Sequence, residues 1–241
     1  MQLADATWTD VEDTDTRLAL LPVGSTEGHG PHAPLSTDTL NAESIAEAAA
    51  ERYEARMNDP VVVGPSVTVG ISEEHRAFDG TLWVSPNTFR AYVRETVESL
   101  AHHGLDRVVL VNGHGGNIDA LQEVSARLTR DGTASVAPFT WFNAVGEHSS
   151  DMGHAGPLET ALLRTEHPEL VREGRIEDAR QNGSDRWGEW VSGVNLAYDS
   201  DEFTENGVVG DPAEGDAARG EELLGLATES LVDVLGALAE R

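Results

Sequence analysis

Three observations predict an α/β fold, a three-layer α/β/α arrangement around a largely parallel sheet. Short apolar runs rich in β-branched residues alternate with longer amphipathic stretches. The clearest run is continuous and lacks a two-residue alternation, as befits a strand covered on both faces. Polar, glycine-containing turns follow the carboxyl ends of two runs, where open α/β sheets hold their ligands. The 241 residues suffice for one domain, 1–241, with a sizeable core, and contain no repeat or long linker.

The elements are predicted in order. Arg17 to Val23 is an apolar run stopped by Gly24, a buried strand. Residues 39–57 have helical composition, and Pro60 to Val63 forms a second strand. Ser85 supplies an N-cap and Pro86 the first helical position, with the helix running to about His103 and stopping at Gly104. Arg107 to Asn112 is the clearest buried strand; it runs into Gly113-His-Gly-Gly-Asn117 and a helix to about Thr129. Another strand begins over Ala134 to Ala137, and helices follow over Leu158 to Thr165 and Ala213 to Glu240. Residues 175–206, with Trp187, Trp190 and Asn195, look irregular and suit a substrate-specifying lid.

Composition narrows the function. There is no cysteine, so disulfides and thiolate chemistry are excluded, and any metal ligands must be His and carboxylate. The formal net charge is −27 and every basic residue is Arg. Such a chain repels nucleic-acid phosphates and anionic membranes, so neither is an expected partner. The acidic excess is spread along the sequence, which points to a halophilic surface. The N-terminal stretch is polar and acidic, unlike a targeting peptide, and no apolar run approaches the ~20 residues of a membrane span. A cytoplasmic protein is expected.

Three clusters carry chemistry. Glu27 and His29 lie two apart beyond the first strand, with Asp38 further on. They offer O and N ligands suited to Zn, Mn or Fe(II), and a dication would offset the crowding of carboxylates. The same residues also read as a polar loop with Asp38 capping the next helix. His114 sits between glycines after the clearest strand, where backbone can approach a ligand, or where a solvated turn would suffice. An esterase-type oxyanion loop is excluded because no G-x-S-x-G elbow occurs; Walker A and G-x-G-x-x-G patterns are also absent. In Gly153-His-Ala-Gly-Pro-Leu-Glu-Thr160, His154 lies in a loop and Glu159 in a first helical turn, a placement the helix dipole alone would favour.

Taken together, these segments resemble the creatininase family of metal-dependent amidohydrolases. Pro22-Val-Gly-Ser-Thr-Glu-Gly-His-Gly-Pro-His32 with Thr37-Asp38 is similar to the family's first signature. Asn112-Gly-His114 matches its second, and His154 to Thr160 its third. Glu74-His75-Arg-Ala-Phe-Asp-Gly-Thr81 is similar to E-H-x-x-F-P-G-T, with Asp79 in place of Pro, and Gly207 to Pro212 resembles the segment before the last helix. The resemblance implies two divalent ions per subunit, Zn, Mn or Fe. Glu27 and His114 would bind one, His29 the other, and Asp38 would bridge them. It also implies a catalytic His154 and a pocket-lining Trp141; His32 is expected to assist catalysis by orienting a metal ligand or contacting substrate, and His75 and Ser72 are expected substrate contacts. Creatininase proper carries Glu where Gly116 stands, Glu where Gly153 stands, and a second pocket tryptophan where Ser150 stands. The N-G-H-G-G-N version is that of a subtype including an archaeal formylaminopyrimidine deformylase, and in it Glu159 is expected to supply the missing carboxylate. A hydrolase of a non-peptide C–N amide bond, in a formamide or cyclic amide, is therefore expected, assembled as a homo-oligomer, a hexamer by resemblance. Alternatives are creatinine amidohydrolase proper, a peptide-trimming relative, or a non-catalytic metal-binding oligomer.

Overall fold

The computed structural model describes residues 1–241. Its centre is a parallel sheet of β1 (Leu18–Val23), β2 (Val62–Val63), β3 (Arg107–Asn112) and β4 (Ser135–Thr140), ordered β2-β1-β3-β4. Leu18 pairs with Arg107 and Val23 with Asn112, which in turn pairs with Thr140. Three strands therefore end level, and whatever follows them emerges on one edge.

Side chains alternate along each strand, so successive residues feed opposite cores. Leu18, Leu20, Val109 and Val111 join the core packed by α2 (Thr37–Met57), α5 (Pro157–Glu166) and α7 (Ala217–Ala239). Ala19, Leu21, Val108 and Leu110 join the other, packed by α3 (Pro86–His102) and α4 (Ile118–Arg130). Every β1 residue is buried, the cause of its continuous apolar run. The expected α/β architecture with helices on both faces is what forms. A short α1 (Trp8–Glu12) precedes the sheet. No helix is long and apolar enough to cross a membrane.

Differences from expectation have local causes. The Pro60–Val63 strand shrinks to Val62–Val63 because Val61 is engaged elsewhere: its N–H donates to the Glu54 carboxylate and its carbonyl accepts from the Met1 ammonium. The last helix starts at Ala217, not Ala213; Pro212–Glu214 forms a separate 3-10 turn, and Asp216 caps the helix by accepting from Arg219 N–H. Asp38 is not an N-cap. Ser36 holds that position, and Asp38 lies inside the first turn of α2. Residues 175–206 contain α6 (Ile176–Gln181) and an antiparallel hairpin of β5 (Trp190–Val191) and β6 (Val194–Asn195). Its two-residue turn places Ser192 (φ 51°) and Gly193 (φ 83°) both in the left-handed region, the geometry that matches the twist of paired strands.

Candidate metal centre

The residues after β1 turn back under α2, and Gly24 permits it: a Cβ there would collide with Thr39 in the first turn of that helix. This close approach brings Glu27 and His29 beside Asp38. The segment after β3 adds His114 from the neighbouring strand end. The loop between β4 and α5 adds His154, and the first turn of α5 adds Glu159. All six side chains are buried.

Asp38 stands at the middle. Its Oδ1 is 3.1 Å from His29 Nε2, and its Oδ2 is 3.2 Å from His114 Nδ1. Each imidazole has a second carboxylate: Glu27 Oε1 is 3.2 Å from His114 Nδ1, and Glu159 Oε2 is 3.8 Å from His29 Nε2. His75 Nε2 and His154 Nδ1 face Glu27 Oε1 at 3.6 and 3.7 Å. The outer ring nitrogens are anchored away from the cluster. His114 Nε2–H donates to the Ile71 carbonyl (2.7 Å), and His154 Nε2–H to that of Gly28 (2.8 Å). His29 Nδ1 pairs with the Glu27 carbonyl (3.2 Å), and His75 Nδ1 with the Ser200 hydroxyl (3.2 Å). Anchoring of this kind fixes the tautomer that leaves the inner nitrogen free to bind a cation.

Both carboxylate oxygens of Glu27, Asp38 Oδ2 and His29 Nε2 are buried without a hydrogen-bond partner. Burying these carboxylates without well-formed hydrogen bonds is costly, so the cluster needs positive charge among them, from protons on His29 and His114 or from a cation. Three overlapping groups converge closely enough to hold an ion: Glu27–His29–Asp38, His29–His154–Glu159 and Glu27–His75–His154. The donors are nitrogen and carboxylate oxygen, which fits Zn, Mn or Fe(II).

Electrostatics agree. Burial alone would raise the Glu27 carboxyl, but His114, His75 and His154 outweigh it and hold Glu27 well below the usual carboxylate range. Burial opposes charge on His29 and His114, yet the facing carboxylates hold both well above the usual imidazole value. A dication can take over the charge-balancing role of those protons. His75 and His154 are pushed down by burial first and by neighbouring imidazoles next.

The cluster forms the floor of a cavity of about 520 Å³, where His75, His114, His154 and Glu159 are reached. Gly115, Gly116 and Glu74 make one side; Phe142, Met152, Trp187 and Tyr198 make much of the rest. The hairpin region thus contributes wall residues.

Not every expected site residue reaches this cavity. Trp141 is fully buried in the core packed by α2 and α7 and does not line the cavity, whereas the next residue, Phe142, does. Ser72 is buried as a brace, accepting from the Ser25 hydroxyl (2.9 Å) and donating to the Leu82 carbonyl (3.2 Å), away from the cavity. His32 lies behind His29, its Nε2 3.0 Å from the Thr160 hydroxyl, and does not line the cavity either. The sequence reading missed Glu74, which precedes His75 in a motif already singled out, and Met152 and Tyr198, which carry no motif. Two glycines are sterically required. A Cβ on Gly116 would collide with the Ile71 carbonyl and lie 2.6 Å from His114 Nε2. A Cβ on Gly153 would collide with the Val209 carbonyl.

A family profile described as "Creatininase: Creatinine amidohydrolase" matches residues 4–235. A mycofactocin precursor peptide peptidase of Mycobacterium ulcerans (strain Agy99) is 37% identical over 160 residues, covering 65% of this chain and 61% of that protein. Its counterpart from Mycolicibacterium smegmatis (strain ATCC 700084 / mc(2)155) is 34% identical over 208 residues, covering 86% and 79%. The crystal structure of a candidate creatinine amidohydrolase from Bacteroides fragilis NCTC 9343 superposes with a TM-score of 0.84 at 24% identity, covering 100% of this chain and 97% of that one, a likeness of fold.

Proposed function

Since the chain belongs to the creatininase family of amidohydrolases, we propose that it hydrolyses an amide C–N bond with two divalent cations, Zn, Mn or Fe, held by Glu27, His29, Asp38, His114 and Glu159. The observation that carries this reading is the position of Asp38, whose two oxygens face separate imidazoles, each with its own further carboxylate. When bound, such cations polarise an amide carbonyl and make water a stronger acid.

The chain's own groups do the rest. His154 donates from Nε2 to the Gly28 carbonyl, so its Nδ1 is the free acceptor and faces the cluster. Burial keeps the ring neutral, ready to accept a proton from the attacking water at Nδ1. Returning that proton to the amide nitrogen lets the amine leave as the C–N bond breaks. The Gly28 carbonyl and the ring of His75, stacked 4.1 Å from His154, hold the imidazole in place. Phe142, Met152 and Trp187 restrict water around the reacting bond.

A formamide or cyclic amide is the substrate class suggested by Gly116, Gly153 and Ser150, which lack the side chains of creatininase proper. A short peptide is the second reading, favoured by the named activity of relatives 34–37% identical to this chain. Two measurements test the proposal. Glu159→Gln should lower the metal content per subunit by elemental analysis; an unchanged content removes Glu159 from the ligand set. His154→Ala should keep its metal and lose about 100-fold or more in kcat on whichever of formamides, cyclic amides or short peptides the native protein cleaves. Normal turnover in that variant would remove His154 from the chemistry.

A further inference from the structure

One carboxylate on the cavity wall stands outside the ligand cluster. Glu74 lines the cavity beside Gly115 and Gly116, with its side chain 24% exposed. Its Oε1 is 3.7 Å from His114 Nε2, the outer nitrogen already bonded to the Ile71 carbonyl. It therefore approaches the imidazole from the side away from Asp38 and Glu27, and it belongs to none of the converging donor groups. Gly116 leaves the approach to it open, because any Cβ there would lie 2.9 Å from Glu74 Oε1.

Trp187 stands at another wall. Its ring packs edge-on against His75 and His154 at centroid distances of 5.8 and 6.1 Å and against Phe203 at 5.3 Å, and it is 37% exposed. Trp190 Nε1–H donates to the Trp187 carbonyl (2.7 Å), tying the ring's position to the hairpin. No arginine lines the cavity, and the chain contains no lysine. The acidic surface, with a net charge of −27, also favours the approach of cations over anions.

We propose that Glu74 is a specificity-determining residue and that the substrate presents N–H donors to it, as an amidine, guanidine-like group or ring amine on a planar apolar body that packs on Trp187. The carboxylate accepts in-plane N–H groups, and a cationic donor makes the pair stronger. The aromatic ring supplies apolar area and a face for a flat or cationic group. This deepens the amidohydrolase reading, and it concerns recognition, not bond cleavage.

Three flat probes of nearly equal shape test it on the metal-loaded protein by calorimetry: benzamidine, benzamide and acetophenone. Expected affinity falls in that order as N–H donors are removed. Glu74→Gln should weaken benzamidine about tenfold or more and leave acetophenone within about twofold, with the metal content of the native protein retained. Trp187→Ala should weaken all three, benzamidine at least as much as the two neutral probes. The proposal is overturned if acetophenone binds as tightly as benzamidine, if benzamidine fails to bind at millimolar concentration, if Glu74→Gln shifts all three equally, or if that variant loses metal. Formanilide turnover by the same preparation reads cleavage separately. Binding in the expected order without turnover would support Glu74 as the recognition residue and refute hydrolysis of that amide class.

Discussion

Gly116 determines where a second carboxylate can stand. With the Ile71 carbonyl against its Cα, no side chain fits there, and the carboxylate nearest His29 besides Asp38 is Glu159, held by the Ala155 N–H at 2.6 Å. Gly116→Ala should therefore lower stability by about 1–3 kcal/mol, read as a fall in thermal midpoint; an unchanged midpoint would show that the turn yields freely. His32 gives a residue-scale pH effect. Burial first, then His29 and Arg164, push it down to about 4 from an ordinary 6.5. The folded chain keeps it neutral while the unfolded chain binds a proton below 6.5. Stability is thus untouched above pH 6.5 and is lost as pH falls from 6.5 toward 4, by roughly 3 kcal/mol in total. His32→Asn should show a shallower decline across that window in denaturant titrations. At this scale the sequence was readable where chemistry is dense and local: Glu27, His29 and Asp38 stand together behind one strand. Trp141 and Phe142 adjoin at a strand end and both join the core, and nothing in the order of residues tells which of the pair also lines the cavity.

Among the elements, the local rules held where capping and burial act alone. Ser85 accepts from Thr88 N–H at 3.3 Å, and Pro86 opens α3, both as the sequence indicates. Ser85→Ala should cost about 1 kcal/mol, measurable as a lower denaturant midpoint, while metal content stays constant because α3 supplies no donor. The rules failed where a distant group intervened. Glu54 and Met1 withdraw Val61 from β2, and neither is visible from the Pro60–Val63 run itself. Asp38 and Glu159 both occupy first turns, of α2 and α5. Two helix starts, each partly positive, thus face the centre, and these carboxylates reverse that field where a cation must sit.

For the whole molecule, the acidic excess sets the response to solvent. Self-repulsion among 43 carboxylate side chains against 16 arginines is screened by salt. The thermal midpoint should rise between 0.1 and 2 M KCl; a midpoint indifferent to salt would argue against the halophilic reading of the composition. The three-layer parallel architecture was legible because strands buried on both faces must be continuously apolar, as β1 and the Val108–Val111 run of β3 are. The cavity was legible only in part: the stretch 175–206 marked as a lid contributes Trp187 and Asn195, but the walls from β4's exit and from the Gly115–Asn117 turn before α4 meet it only in three dimensions.

The level endings of three adjacent strands have one more implication. Glu27, His114 and Glu159 are far apart along the chain, and no excised fragment holding one loop carries a complete set of donors. Tight cation capture would then report that the entire sheet has threaded in register, making it a late event for a refolding chain.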